Sequence, residues 1–246
     1  MSRPDPIAAP VAEIERRLHW RVLAIGGFLA MMVTLAVIAV VSVLVPAKLV
    51  AGLPADADVA AASALLQGRL PMRAGALRFR TALAGEAAPG ASFGPDQAQR
   101  VERATVLLER ASERHRGDPR LGLALAHLDL ARQRYSHAER RYRAVTERGV
   151  DAPEARLGLG VTLALQADLE RDLLRARALR LEALAQFVAV DPRDSAFLPA
   201  LYDRAVMLTR IGRREEAWRV AREYAIRDSV GPWAARLLLD SAPGGD

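Results

Sequence analysis

Alanines at positions 104, 138, 183 and 217 each begin the same pattern, with apolar or aromatic residues four and seven positions later: Leu108 and Ala111, Tyr142 and Val145, Phe187 and Val190, Ala221 and Tyr224. Steps of four and seven place all three residues of a set on one face of a helix. The leading alanines are 34, 45 and 34 residues apart. A second set of small residues precedes them inside apolar helical patterns: Ala126, Gly160 and Ala205, which are 34 and 45 residues apart. Self-similarity at a period of 20–50 residues is the mark of a stacked-repeat architecture, in which one helical hairpin cannot bury its apolar face alone and a row of them can.

Within a unit the small residue of the first helix precedes the alanine of the second by 12, 23 and 12 residues, so the middle unit carries eleven extra. Eleven residues are close to three helical turns and barely rotate an apolar stripe. The pattern therefore predicts one long second helix over Asp168 to Val190, with Leu169, Leu173, Ala176, Leu179, Ala183 and Phe187 on its buried side and neither Gly nor Pro inside. Breakers separate the units: Gly117-Asp-Pro119, Gly149 to Pro153, Asp191-Pro192 and Gly231-Pro232, with Gly212 turning the last hairpin. Small residues where backbones meet imply close antiparallel packing, with Tyr142, Phe187 and Trp218 filling space between units. Trp233 to Leu239 reads as a capping helix, 241–246 as a disordered tail, and Val59 to Gly68 with Met72 to Ala84 as a further hairpin, followed by a loop from Ala87 to Gly94. Composition agrees with helix: hydrophobic residues make up 51% of the chain but aromatics only 5%, too few for a β-sandwich or barrel.

A 34-residue period with two helices per unit resembles the tetratricopeptide repeat family. Leu159-Gly160 with Gln166-Ala167-Asp168 is similar to that family's first helix and turn, and Gly212-Arg-Arg-Glu-Glu-Ala217 to its turn and second-helix start. The likeness covers about residues 95–228, with departures at Gly122 and Arg156, where a large residue is usual, and at Asp129, where an aromatic or leucine is usual. The resemblance implies an all-α superhelix over 95–240 whose first helices line a groove. On the matching positions that groove is Leu123, His127, Leu130, Leu157, Val161, Ala164, Tyr202, Val206 and Thr209. A strip so apolar suits an extended peptide or an amphipathic helix with hydrophobic anchors. Two alternatives stand side by side: a vacant groove, and one filled by the preceding hairpin or the C-terminal cap.

No residue from Val22 to Ala47 is charged, and Val22 to Val45 is apolar on every face. As a helix those residues rise roughly 36 Å, enough for a hydrocarbon core of about 30 Å. A cleaved signal peptide is the rival, with Val45-Pro46-Ala47 as its nearest cleavage site, but an apolar region of about 7–15 residues is usual there. Arg16, Arg17 and Arg21 crowd the N-terminal flank while Lys48 stands alone on the other until Arg69. The positive-inside rule then keeps residues 1–21 in the cytoplasm, makes 22–45 a single span, and places 46–94 (a juxtamembrane hairpin and loop) and the repeats outside the bacterial inner membrane, in the periplasm where there is one. Gly26 and Ala30 form a small-x-x-x-small pair through which two spans can associate.

Chemistry is scarce in the rest of the chain. The absence of cysteine excludes thiolate metal sites, disulfides and a Cys nucleophile. His115, His127 and His137 have no partner at metal-ligand spacing. Glu215 and Glu216, adjacent on a helix, point about 100° apart, and Gly158-x-Gly160 follows no strand, which argues against a phosphate loop. The net charge of +6 is interleaved along the helices and not gathered in a stripe, unlike a nucleic-acid footprint. The sequence thus assigns no catalytic residue, metal or cofactor. It points to a membrane-anchored scaffold for other proteins in the assembly or stability of a membrane or envelope complex. The second reading is a permanent structural subunit of an energy-transducing or secretory membrane complex, and the third an enzyme acting on envelope polymers.

Overall fold

Pro95, Pro119, Pro153 and Pro232 each open a helix, at the position where a missing N–H leaves no bond unmade and a fixed φ is already helical. The computed structural model describes residues 54, 56–66, 77–81, 85–86, 94–148, 153–229 and 232–242, all within the unit Leu49–Asp246. Among them run helices α1 (Ala57–Leu66), α2 (Pro95–Arg114), α3 (Pro119–Ala131), α4 (Tyr135–Glu147), α5 (Pro153–Leu169), α6 (Leu173–Val188), α7 (Phe197–Arg210), α8 (Arg214–Arg227) and α9 (Pro232–Ser241). The only strands among the described residues are β1 (Arg80–Thr81) and β2 (Gly85–Glu86), paired antiparallel.

The helices stack as consecutive pairs, α1 with α2, α3 with α4, α5 with α6 and α7 with α8, and α9 closes the row against α7 and α8. The recurrent alanines Ala104, Ala138, Ala183 and Ala217 are buried, as are Ala126, Gly160 and Ala205. Close approach is what demands glycine at Gly160 and at Gly158, two residues before it: a Cβ on Gly158 would overlap the Tyr142 ring, and one on Gly160 the Phe187 ring. Tyr142 is accordingly buried against the next unit and Phe187 against the partner helix of its own, whereas Trp218 is half-buried.

Of the hairpin expected over Val59–Gly68 and Met72–Ala84, the first half is α1, which packs on α2 beyond 28 intervening residues, and the described part of the second half, Leu77 to Thr81, is not helical: a bend at Leu77 leads through Arg78 and Phe79 into β1. Side chains make the α1–α2 pair: Arg114 Nη2 lies 2.7 Å from Asp56 and 2.6 Å from Asp58, and His115 Nε2 lies 3.0 Å from Asp56. The Arg114 guanidinium holds the Asp56 carboxyl well below the usual carboxylate range.

The eleven extra residues do not make one long helix either. Gly160 is the eighth residue of α5 as Ala126 is of α3, but nine residues follow it instead of five. Ala183 is the eleventh of α6, where Ala138 is the fourth of α4. Four residues therefore lengthen the end of α5 and seven the start of α6, around a break at Glu170-Arg171-Asp172. Side chains build that break: Glu170 Oε1 accepts from the backbone N–H of Arg171 and Asp172, and Asp172 Oδ1 from those of Leu174 and Arg175. The lengthened hairpin ends in three leucines, Leu169, Leu173 and Leu174, that are 69%, 82% and 81% exposed.

The other two turns share a geometry. Gln133 has φ 59° and Gly212 φ 84°, and the following residues, Arg134 and Arg213, donate their N–H to Asp129 and Leu208 five residues back. This left-handed turn suits glycine and is strained for glutamine. Ser241, assigned from sequence to a disordered tail, ends α9 and is buried, while 243–246 lie outside the described residues. The apolar run Val22–Val45, with the Gly26–Ala30 pair, also lies outside them. Among the described residues no helix is long and apolar enough to cross a membrane.

Candidate functional site

Of the nine positions expected to line the groove, His127, Leu130, Leu157, Val161, Ala164 and Tyr202 are buried, and Leu123, Val206 and Thr209 are half-buried. Part of the strip is covered by the chain itself, in a form different from the hairpin or cap considered from sequence: Phe79 of the non-helical segment Leu77-Arg78-Phe79, whose three residues are all buried, packs on His127.

The segment is held in three ways. The backbone N–H of Arg78 donates to Asp203 Oδ1 on α7 at 2.6 Å. The Arg78 guanidinium reaches α8, where it donates to the Tyr224 hydroxyl and lies 2.7 Å from Asp228 Oδ2, and Tyr224 itself donates to Asp228. The same guanidinium sits 5.6 Å from the centre of the Tyr224 ring and 5.8 Å from that of Trp233 on α9, within the range of a cation–π attraction. Phe79 meets the His127 ring of α3 edge-on, with centroids 5.6 Å apart. Through Arg78 and Phe79 the segment touches α7, α8 and α9 on one side and α3 on the other.

The residues beneath are themselves fixed. His127 Nδ1 is 2.7 Å from the Tyr142 hydroxyl, and its Nε2 is 3.7 Å from Glu154. Tyr202 stacks edge-on against both Tyr224 and Trp233, at 5.5 and 5.3 Å. Burial pushes the Tyr202 phenol up to about 12 and the Tyr142 phenol well above its ordinary value, so both stay neutral hydrogen-bonding groups. Asp203 is fully buried, and burial drives its carboxyl well above the usual range despite the Arg78 N–H. Its second oxygen, Oδ2, has no hydrogen-bond partner among the described residues.

Sequence reasoning named His127 and Tyr202, which this arrangement brings together with the segment. It missed Arg78, Phe79, Asp203, Tyr224, Asp228 and Trp233 as a set. Asp203 did carry a signal: a carboxylate beside Tyr202 on a helix whose other inward residues are apolar is costly unless something pairs with it. Asp129, the other odd position, is buried beside Arg141, whose Nε is 2.9 Å from its Oδ2. No group of three or more His, Cys, Asp or Glu side chains suited to a metal ion occurs among the described residues.

Paired antiparallel helices stacked in register, with a groove along their first members, are the geometry of a tetratricopeptide array. A solved structure agrees: a thermophilic TPR protein of Thermus thermophilus superimposes with a TM-score of 0.51 at 17% identity, over 58% of this chain and 73% of that one. The fold is tetratricopeptide-like. No family model matches the sequence, and no curated protein does. At that identity the likeness speaks for the fold, and the site rests on its own contacts.

Proposed function

We propose that this chain is a membrane-anchored, tetratricopeptide-like scaffold that holds other proteins during assembly or stability of a membrane or envelope complex, with its repeats outside the bacterial inner membrane. The observation that carries the reading is the groove, which grips a non-helical polypeptide segment by one backbone N–H, one arginine and one aromatic ring. A surface that reads both backbone and side chains is built for polypeptide. The apolar run Val22–Val45 and its basic N-terminal flank support the anchor. The reading gives the chain no catalytic residue and no cofactor.

A second reading, a permanent subunit of a larger membrane complex, is favoured by the exposed leucines at the α5–α6 tip, since apolar side chains clustered on a protruding surface mark contact sites. Purification of the full chain from its native membranes in mild detergent separates the two. Substoichiometric recovery of a partner supports the assembly scaffold, stoichiometric co-elution supports the subunit, and an isolated chain under both detergent and cross-linking conditions contradicts both. Leu173→Ser with Leu174→Ser tests the tip: recovery falls while thermal stability stays within about 0.5 kcal/mol, as for exposed positions generally.

A further inference from the structure

Resting on that scaffold reading, we propose that the groove takes a partner segment of one chemical class, a non-helical apolar–arginine–aromatic tripeptide, and that Leu77-Arg78-Phe79 is the chain's own resident copy of that ligand. The seated segment shows what each part of the groove selects. Asp203 accepts a main-chain N–H and fixes the strand's position whatever its sequence. Asp228, Tyr224 and Trp233 form a subsite with one carboxylate and two ring faces, which matches a guanidinium in charge and shape. At the other end His127, held by Tyr142, offers an aromatic edge to an aromatic ring.

The resident copy is tethered, so it competes at an effective concentration of roughly millimolar order. A partner segment therefore gains access chiefly where the resident one is weakened or pulled out. This makes the exchange measurable. The full chain carrying Arg78→Ala and Phe79→Ala is prepared in mild detergent, its folding checked by helical circular dichroism, and titrated with a fluorescent peptide of the sequence of residues 74–82 and with the same peptide bearing Ala for Arg78.

The double variant should bind the native peptide at least tenfold more tightly than the wild-type chain does, and at least tenfold more tightly than it binds the alanine peptide. Adding Asp228→Asn should remove most of that preference. Equal affinity for the two peptides, or no binding to a folded double variant, overturns the ligand class; the scaffold reading then still stands or falls on the detergent purification. Where the double variant loses its helical signal, the chain carrying Phe79→Ala alone, which vacates the place beside His127, is instead labelled with the peptide carrying a photoreactive group at the Phe79 position. Labelling confined to α3 around His127 supports the proposal, and labelling spread over the surface overturns it. A wild-type dimer that the double variant converts to monomer assigns the occupant to a second copy and overturns the partner form.

Discussion

The backbone N–H of Arg78 and the carboxyl group of Asp203 lie 2.6 Å apart although 125 residues separate them in the chain. This bond ties a non-helical segment to α7, at a carboxyl whose other oxygen has no partner among the described residues. The pairing is held in place by Arg78's own side chain on Asp228 and Tyr224.

Burial raises the Asp203 carboxyl well above the usual range, so the folded chain keeps a proton there that the unfolded chain has already lost. The sign follows from linkage: stability from this group is full below the unfolded value of about 4 and falls as pH rises toward the folded value. Asp203→Asn keeps an acceptor for the Arg78 N–H and cannot ionise. The wild-type minus variant difference in unfolding free energy should therefore decline with rising pH above about 4, by at most about 1.4 kcal/mol per pH unit. Denaturant titrations at pH 4, 6 and 8 measure it, and a difference independent of pH contradicts the burial of this carboxyl.

Gly160 and Gly122 are both helical glycines and should respond oppositely to alanine. A Cβ on Gly160 runs into the Phe187 ring, whereas one on Gly122 meets Val145 Cγ2 at 3.3 Å. Helix propensity favours alanine by about 1 kcal/mol at either place, and overpacking against a buried ring costs about 1–3 kcal/mol. Thermal unfolding should show Gly160→Ala destabilised by about 1–2 kcal/mol and Gly122→Ala unchanged or slightly stabilised. Equal responses would place α5 and α6 farther apart than they are here.

The α3–α4 turn carries a strained residue that its counterpart avoids. Gln133 at φ 59° occupies the place that Gly212 occupies at φ 84°, and a side chain in this region costs about 1–2 kcal/mol. Gln133→Gly should stabilise by about 0.5–1 kcal/mol, since glycine returns part of that gain as chain entropy. Gly212→Gln should destabilise by a similar amount. Melting curves of the two single variants read both signs.

The repeat architecture was legible because it is local: a buried alanine with partners four and seven residues on, repeated at 34 residues, is written in neighbouring positions. The Leu77–Phe79 segment was not, since Gly75, Phe79 and Ala82 also satisfy a helical spacing, and what holds Leu77 to Phe79 out of a helix are contacts with Asp203, Tyr224 and His127 far along the chain. The break at Glu170 to Asp172 stood between the two. An uninterrupted run of three- and four-residue steps suggested one helix, yet Asp172 is a capping residue type and its two accepted N–H bonds outweigh the periodicity. His127 and Tyr202 were named because the repeat indicates which helix positions face inward, and the acidic and aromatic residues around Arg78 were missed because nothing local announces a cation coming from elsewhere.

The central claim is that the chain's own Leu77–Phe79 segment is seated on the repeat helices, and amide hydrogen exchange at residues 77–79 tests it most directly. The full chain, digested after exchange and read by mass spectrometry, should show the Arg78 amide protected to a degree comparable with the buried amides of α7, and that protection should be lost in Arg78→Ala/Phe79→Ala. Exchange of the Arg78 amide at the rate of a free peptide in the wild-type chain would contradict it.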